Sequence, residues 1–552
     1  MLEPVNSPRT LPEVLSRIEA ASVLRRIWSG DPAVWKHDPT EIANRLEWLH
    51  LPDTMAEALD RIDRFAAAVR TDRFHHVLLL GMGGSSLAPE TFSIVFGVAD
   101  GCPDLAILDT THPDAVRDVE NRLDLDRTLF VVATKSGTTT ETLSLFRYFY
   151  RRVAERKDIT APGGRFVAIT DPGSPLVDLA QRLRFRDVIL NDPNLGGRYS
   201  ALSHFGLVPA ALLGVDVRRL LDRARETASA CQRTDVGDQN PGILLGALLG
   251  AAQSEGRDKV TLLLPEAIAA FGDWVEQLIA ESTGKEGTGI LPIVREPVAE
   301  PSQYGNDRLF VSVRLGDDAG GDVAVDRLAD SGHPIVRIDL SDIYDLGGQL
   351  FLWEFATAVA GHLLGVNPFD QPNVESAKAR ARELSDAYRR TGRLPERPST
   401  ILTADRLADI LGQSHAGDYI AIHAYLRPSD GLTEAFATLR AALLQRSGLA
   451  TTFGYGPRFL HSTGQLHKGD RGNGRFIQLV ADPEGDLAIP GDDEGADEFP
   501  LTFGTLIAAQ AGGDRQALLD GGRSVATFLV PSDPTDLIRR IAGELVQGES
   551  RP

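Results

Sequence analysis

The stretch that most restricts what this chain can fold into is residues 130–142, F-V-V-A-T-K-S-G-T-T-T-E-T. Phe130, Val131, Val132 and Ala133 predict a buried strand of the parallel type. The pattern then breaks into Thr134, Lys135, Ser136, Gly137, Thr138, Thr139 and Thr140, and Glu141, Thr142 and Leu143 begin a helical pattern. One hydroxyl would serve to cap that helix, but six lie between Thr134 and Thr142. Hydroxyls at a strand-to-helix turn suit phosphate oxygens, because the helix start adds free backbone N–H groups and partial positive charge. Gly137 lets the backbone approach a ligand and Lys135 adds a point charge. The stretch therefore predicts a phosphate site at the carboxyl end of a parallel sheet.

The surrounding sequence agrees with such a sheet. Residues 11–70 carry apolar positions at helical spacing and predict helices. Strands are predicted at 76–80, 105–109, 130–133 and 165–170, with helical stretches between, so that residues 75–215 read as a doubly wound α/β unit. The turn after the first of these strands, G-M-G-G-S-S at 81–86, is glycine-rich, but Ser86 stands where a dinucleotide fingerprint needs its third glycine. A second α/β pattern begins near 240, with strands at 259–265, 309–313 and 335–338 and helices at 271–281 and 351–364. G-R-L-P-E-R-P at 392–398 reads as a linker, and a third block follows with strands at 418–425 and 476–480. This block echoes the second: G-N-D-R at 305–308 is matched by G-N-G-R at 472–475, and L-A-D-S-G at 328–332 by L-L-D-G-G at 518–522. The echoes predict a partial duplication. The resulting division is 1–74, a helical segment; 75–235, a first α/β domain with the phosphate loop; 236–391, a second; and 400–552, a C-terminal α/β block.

Three further stretches carry polar groups where a core would be apolar. In G-G-R-Y-S at 196–200 two glycines precede Arg198, a planar cation with five donors. In E-S-T-G-K at 281–285 Glu281 follows apolar Ile279 and Ala280, and desolvation would make it a better base. N-P-F-D-Q-P-N-V-E-S-A-K at 367–378 is a proline-fixed loop before a helix carrying Lys378.

With these stretches the chain resembles the phosphoglucose isomerase family. The matching motifs are G-M-G-G-S-S, T-K-S-G-T-T-T-E-T, G-G-R-Y-S, Q-L-I-A-E-S-T-G-K at 277–285 and N-P-F-D-Q-P-N-V-E-S-A-K, in the family's order over roughly 300 residues. The likeness is nearest to the isomerase half of transaldolase–isomerase fusion proteins. It implies two doubly wound sugar-isomerase (SIS) type parallel-sheet domains plus a C-terminal α/β extension. It further implies interconversion of glucose 6-phosphate and fructose 6-phosphate through a cis-enediol, without a cofactor or metal.

By position, the resemblance assigns the 6-phosphate to Ser85, Ser136, Thr138, Thr139 and Thr142 with Lys135 nearby, and counts Gly84 and Thr134 among the substrate-binding residues. Glu281 is the implied base, Arg198 the implied enediolate partner, and Gln277 and Gln371 the implied sugar contacts. Ring opening falls to Lys378 and a histidine. The family's H-S-x-G-Q-like stretch is expected between the glutamate and the lysine, where this chain has E-P-S-Q-Y-G-N at 300–306. H-S-T-G-Q appears instead at 461–465, in the third block. His461 is therefore the expected catalytic histidine, with His333 and His467 behind it.

Charge and composition limit the alternatives. A net charge of −20, from 57 basic and 77 acidic side chains, argues against nucleic acid or an anionic membrane as partner. Cys102 and Cys231 show no metal or disulfide spacing, and with acidic residues and prolines at the start of the chain a cytoplasmic protein is expected. No run of about 18 apolar residues predicts a membrane span. The expected partner is a small phosphosugar, and the expected assembly a homodimer or a monomer. Three rival readings stand beside this one: a related isomerase also accepting mannose 6-phosphate, a non-catalytic phosphosugar sensor, and an NAD-dependent dehydrogenase with Asp109 as its only ribose ligand.

Overall fold

The structure is a computed structural model; it describes residues 2–234, 240–316, 321–394, 399–491 and 500–547. The chain opens with strand β1 (Leu2–Val5) and continues through helices that include Leu11–Ala20 and Leu51–Thr71. Strands β2 (His76–Gly81), β3 (Asp104–Leu108), β4 (Thr128–Ala133), β5 (Phe166–Thr170) and β6 (Asp187–Leu190) form the first sheet, in the order β3-β2-β4-β5-β6. All its neighbours are parallel. Apolar residues run continuously through β2 and β4 because both faces are covered. Leu79, Val131 and Ala133 face one core, while Leu78, Leu80, Phe130 and Val132 face another, as the two-residue period of a strand requires.

The second sheet contains β7 (Lys259–Leu263), β8 (Leu291–Ile293), β9 (Arg308–Leu315) and β10 (Ile335–Leu340), in the order β1-β10-β9-β7-β8. The N-terminal segment is thus not wholly helical. β1 pairs antiparallel with β10, Leu2 opposite Ile338, and covers an edge that would otherwise expose its backbone groups. Pro4 is tolerated because β1 is itself an edge strand.

The third sheet, β11 (Tyr419–Tyr425), β12 (Ala450–Tyr455), β13 (Gly474–Val480) and β14 (Ser524–Leu529), has the order β12-β11-β13-β14, again parallel. Without β1, the second sheet reads β8-β7-β9-β10, which is the same winding. The sequence echoes fall at equivalent points of it. G-N-D-R leads into β9 and G-N-G-R into β13, while the other pair ends the Asp322–Asp330 helix before β10 and the Phe503–Asp520 helix before β14. Residues 235–239, at the expected boundary of the first two domains, and residues 395–398 of the expected linker lie outside the described residues.

The third sheet packs directly against the second. Ala280, Leu291 and Ile293 share one core with Tyr419, Ala421, Leu466, Phe476 and Leu518. Polar groups fasten the same contact. A buried Glu296–Arg308 ion pair accepts the Thr451 amide and hydroxyl, and Arg440 donates to the Val294 carbonyl at 3.0 Å. Among the described residues no helix is long and apolar enough to cross a membrane.

Candidate active site

In the first sheet the strand order reverses between β2 and β4, and a doubly wound sheet takes its ligands at that point. Gly81 lies opposite Ala133, so G-M-G-G-S-S and T-K-S-G-T-T-T leave the same edge of the sheet together. The two glycines within the first turn are demanded by what crosses it. Gly83 has φ +56°, and a Cβ there would fall 2.8 Å from the His461 carbonyl oxygen. A Cβ on Gly84 would stand 1.9 Å from the Gly197 carbonyl oxygen. The G-G-R-Y-S and H-S-T-G-Q stretches therefore meet at this turn.

A cavity of about 710 Å³ opens there. It brings together Gly84, Ser85, Thr134, Lys135, Ser136, Thr138 and Thr139 on one side with Arg198, Gln277, Glu281, Gln371, Lys378 and His461 on the other. Thr142 is the exception among the expected residues. It is fully buried and does not line the cavity. Two helical steps past exposed Thr140 turn its side chain through about 200°, toward the interior.

The hydroxyls do not spend themselves on capping. Thr139 precedes the Thr140–Ala154 helix without capping it through its side chain. Thr134 Oγ1 lies 2.8 Å from Thr139 Oγ1, and Ser136 Oγ lies 2.9 Å from Thr138 Oγ1. Lys135 is held by the Asp171 carboxylate and donates to the Pro193 carbonyl at 3.1 Å. Burial pushes the Asp171 pKa up against the pull of Lys135 and Arg45. Arg45, which also lines the cavity, is gripped by both Glu41 oxygens at 3.0 and 2.9 Å.

Arg198 is buried and all but saturated. It donates to Ser282 Oγ at 2.7 Å, to Gln371 Oε1 at 3.0 Å, and to the Pro368 and Asp370 carbonyls at 2.6 and 3.0 Å. Its Nη1 stands 3.5 Å from Glu281 Oε1. Lys285 fastens the same loop, donating to the Asn367 carbonyl at 2.7 Å and to Asp370 Oδ1 at 2.8 Å. Burial pulls its pKa down to about 8. Glu281 is 7% exposed, and its Oε2 accepts from Gln277 Nε2 at 3.0 Å. Gln277 Nε2 also donates to the His461 carbonyl at 2.8 Å, while its Oε1 is buried without a partner. That leaves an acceptor at the cavity wall. Lys378, a third exposed, pairs with Glu375 at 2.9 Å.

Of the three histidines, His461 alone lines this cavity. His333 packs between Tyr304 and Phe310 in the second block and contacts the Pro301 carbonyl at 3.2 Å. His467 is buried against His423 at 3.1 Å, and burial drives its pKa far down. Gln465 of H-S-T-G-Q bridges the other motifs, donating to the Gly284 carbonyl at 3.0 Å and accepting from the Asn373 amide at 2.8 Å.

Sequence reasoning missed two residues here. Glu141 Oε1 lies 3.0 Å from His461 Nε2 and accepts from Gln510 Nε2 at 2.8 Å. Burial would raise the Glu141 pKa, but His461 and Lys378 hold it below the usual carboxylate value. Glu141 stood in plain view, as an acid in a helix's first turn after a hydroxyl-rich strand end. Gln510 belongs to no motif. A second cavity, of about 960 Å³, lies between the third sheet and the other sides of the Val374–Thr391 and Phe503–Asp520 helices; it holds none of the expected residues.

Comparison with known proteins gives the same direction. A sequence model of phosphoglucose isomerase matches residues 50–293. A probable glucose-6-phosphate isomerase of Methanococcus maripaludis is 30% identical over 352 residues, 56% of this chain and 78% of that protein. The glucose-6-phosphate isomerase of Symbiobacterium thermophilum is 30% identical over 381 residues, 60% of this chain and 84% of that protein. Among solved structures, a hypothetical protein of Thermus thermophilus superposes with a TM-score of 0.60 at 24% identity, covering 69% of this chain and 99% of its own. A glucose-6-phosphate isomerase of Chlamydia trachomatis does so at 0.58 and 19%, covering 73% of this chain and 89% of its own. These structural likenesses concern the fold.

Proposed function

This chain belongs to the phosphoglucose isomerase family, and from that premise we propose that it interconverts D-glucose 6-phosphate and D-fructose 6-phosphate through a cis-enediol, a step of glycolysis and gluconeogenesis. The observation that carries the reading is one cavity holding a hydroxyl-rich anion turn, a carboxylate and a buried guanidinium together.

The proposed chemistry follows from those groups. The 6-phosphate sits in the turn of Ser85, Thr134, Ser136, Thr138 and Thr139, with Lys135 beside it. His461 and Lys378 open the ring: the sugar's O5 gains a proton as the anomeric hydroxyl loses one and C1 becomes a carbonyl. Glu281 then removes the C2 proton, and charge developing on O1 is stabilised by Arg198 Nη1. A proton passes from O2 to O1, and the same carboxylate returns its proton to C1 as the carbonyl forms at C2. Gln277 and Gln371 contact sugar hydroxyls.

The division 1–74, 75–235, 236–391 and 400–552 is part of the proposal, supported by a set of parallel strands in each of the last three segments, to the second of which the first segment adds antiparallel β1. So are a cytoplasmic location and the finer kinship with transaldolase–isomerase fusions, on which the chemistry does not depend. Every group named comes from one chain, so a single subunit suffices, whether or not it pairs. Acceptance of mannose 6-phosphate and a sensor role are not favoured. The test is a coupled assay of fructose 6-phosphate conversion. Turnover that yields glucose 6-phosphate is expected; an inert protein that still binds the sugar phosphate contradicts the reading.

A further inference from the structure

A chain of hydrogen bonds runs from the cavity into the interior, and two of its members, Gln510 and Thr111, belong to no family motif and have no proposed role. Thr111 Oγ1 donates to Gln510 Oε1 at 2.7 Å, Gln510 Nε2 donates to Glu141 Oε1 at 2.8 Å, and that oxygen lies 3.0 Å from His461 Nε2. Thr111 is fully buried, Gln510 4% exposed and Glu141 7% exposed, so solvent does not compete for these bonds. Thr111 follows β3, Glu141 follows β4, and Gln510 and His461 come from the third block.

The direction of each bond is set by its neighbour. Glu141, held ionised beside His461 and Lys378, can only accept, so the Gln510 NH₂ faces it, the Gln510 carbonyl faces Thr111, and the Thr111 hydroxyl donates. A neutral imidazole has one N–H, and the nitrogen facing Glu141 Oε1 is Nε2. We infer that Gln510 and Thr111 are positioning residues that hold Glu141 as an acceptor, fix His461 as its Nε2–H tautomer, and leave Nδ1 to exchange protons with the sugar. The inference rests on the proposed role of His461 in ring opening. A glutamine suits the place because it orients a carboxylate without adding charge or a proton. The charged groups bearing on the pair from the Val374–Thr391 helix are Lys378 and Glu375.

The first test is nitrogen-15 NMR of the wild-type imidazoles, with His461 assigned by its absence from His461→Gln. A neutral Nε2–H form is expected; an Nδ1–H form, or an even mixture, overturns the inference. The second is the pH profile of Gln510→Leu and Thr111→Val. Losing a donor raises a carboxylate's pKa, so the acid limb of kcat/KM should move to higher pH. For Gln510→Leu, kcat should fall about tenfold with KM little changed. Thr111→Val should show a smaller form of this effect, and Thr111→Ser should restore the profile. Unmoved profiles in both variants overturn the inference. If Gln510→Leu does not fold, the wild-type tautomer still decides. Wild-type protein without isomerase turnover would instead fault the proposed function.

Discussion

The second and third blocks are wound alike, β8-β7-β9-β10 and β12-β11-β13-β14, yet they carry different chemistry. In the second block the helix after the first strand, Ala269–Thr283, bears Glu281. The passage from β8 to β9, residues 294–307, holds a single short helical turn at Pro301–Gln303, packed near His333. In the third block the passage from β12 to β13 holds Arg458–His461 and Gly464–Gly469, and these deliver His461 and Gln465 to the other domains' motifs. Equivalent positions in one winding can thus be without such residues in one block and carry them in the other. The winding supplies an address at the cavity, and in the proposed reaction the residue at that address supplies the chemistry.

The comparison is sharpened most by removing the second block's contribution. Glu281→Gln should cost isomerase turnover by roughly 10²–10⁴-fold or more while phosphosugar binding stays close to wild type. A variant keeping more than about a tenth of the turnover contradicts Glu281 as the base.

The next effect concerns the joint between the two blocks. Leu466 is 1% exposed in the core that Leu291 and Ile293 of the second sheet share with Tyr419 and Phe476 of the third. Leu466→Ala should therefore destabilise by about 2–5 kcal/mol, read by denaturant unfolding, and lower kcat as the His461 segment loosens. Loss of stability without loss of activity would mean that this joint does not position the histidine.

The smallest effect is expected in the first block, which both others serve. Thr139→Ala and Lys135→Ala each remove a phosphate contact present in ground and transition state alike, so KM should rise about tenfold with kcat nearly unchanged. An unchanged KM in both would reduce the hydroxyl turn to a structural element.

What the sequence disclosed follows the same division. Strands buried on both faces, such as β2, β4 and β11, are largely apolar runs and were legible from the local pattern. β6, β8, β12 and β14 escaped because they are short or half-polar: β8 is only L-P-I, and β12 carries two threonines and Gly454. β1 escaped because a four-residue edge strand takes its identity from a partner far along the chain, Leu2 pairing with Ile338, and not from its own pattern. Most of the cavity residues could be read because each lies in a local motif. Glu141 lay in such a motif too, but its partner His461 stands 320 residues away, and Gln510, in no motif, meets Glu141 across 369 residues, so neither pairing could be read locally. Thr142 shared the motif but not the direction, because the helix had already turned it inward.

The central claim is that the third block completes a site built by the first two. Its most direct test is His461→Ala assayed on fructose 6-phosphate and on 5-O-methyl fructose 6-phosphate, whose ring cannot close. Turnover of the ring-forming substrate should fall by roughly 10²-fold or more, as loss of a general acid–base implies, while the open substrate is isomerised at close to the wild-type rate. Equal rates for His461→Ala and wild type on the ring-forming substrate would contradict the account, and would leave the third block as a structural addition.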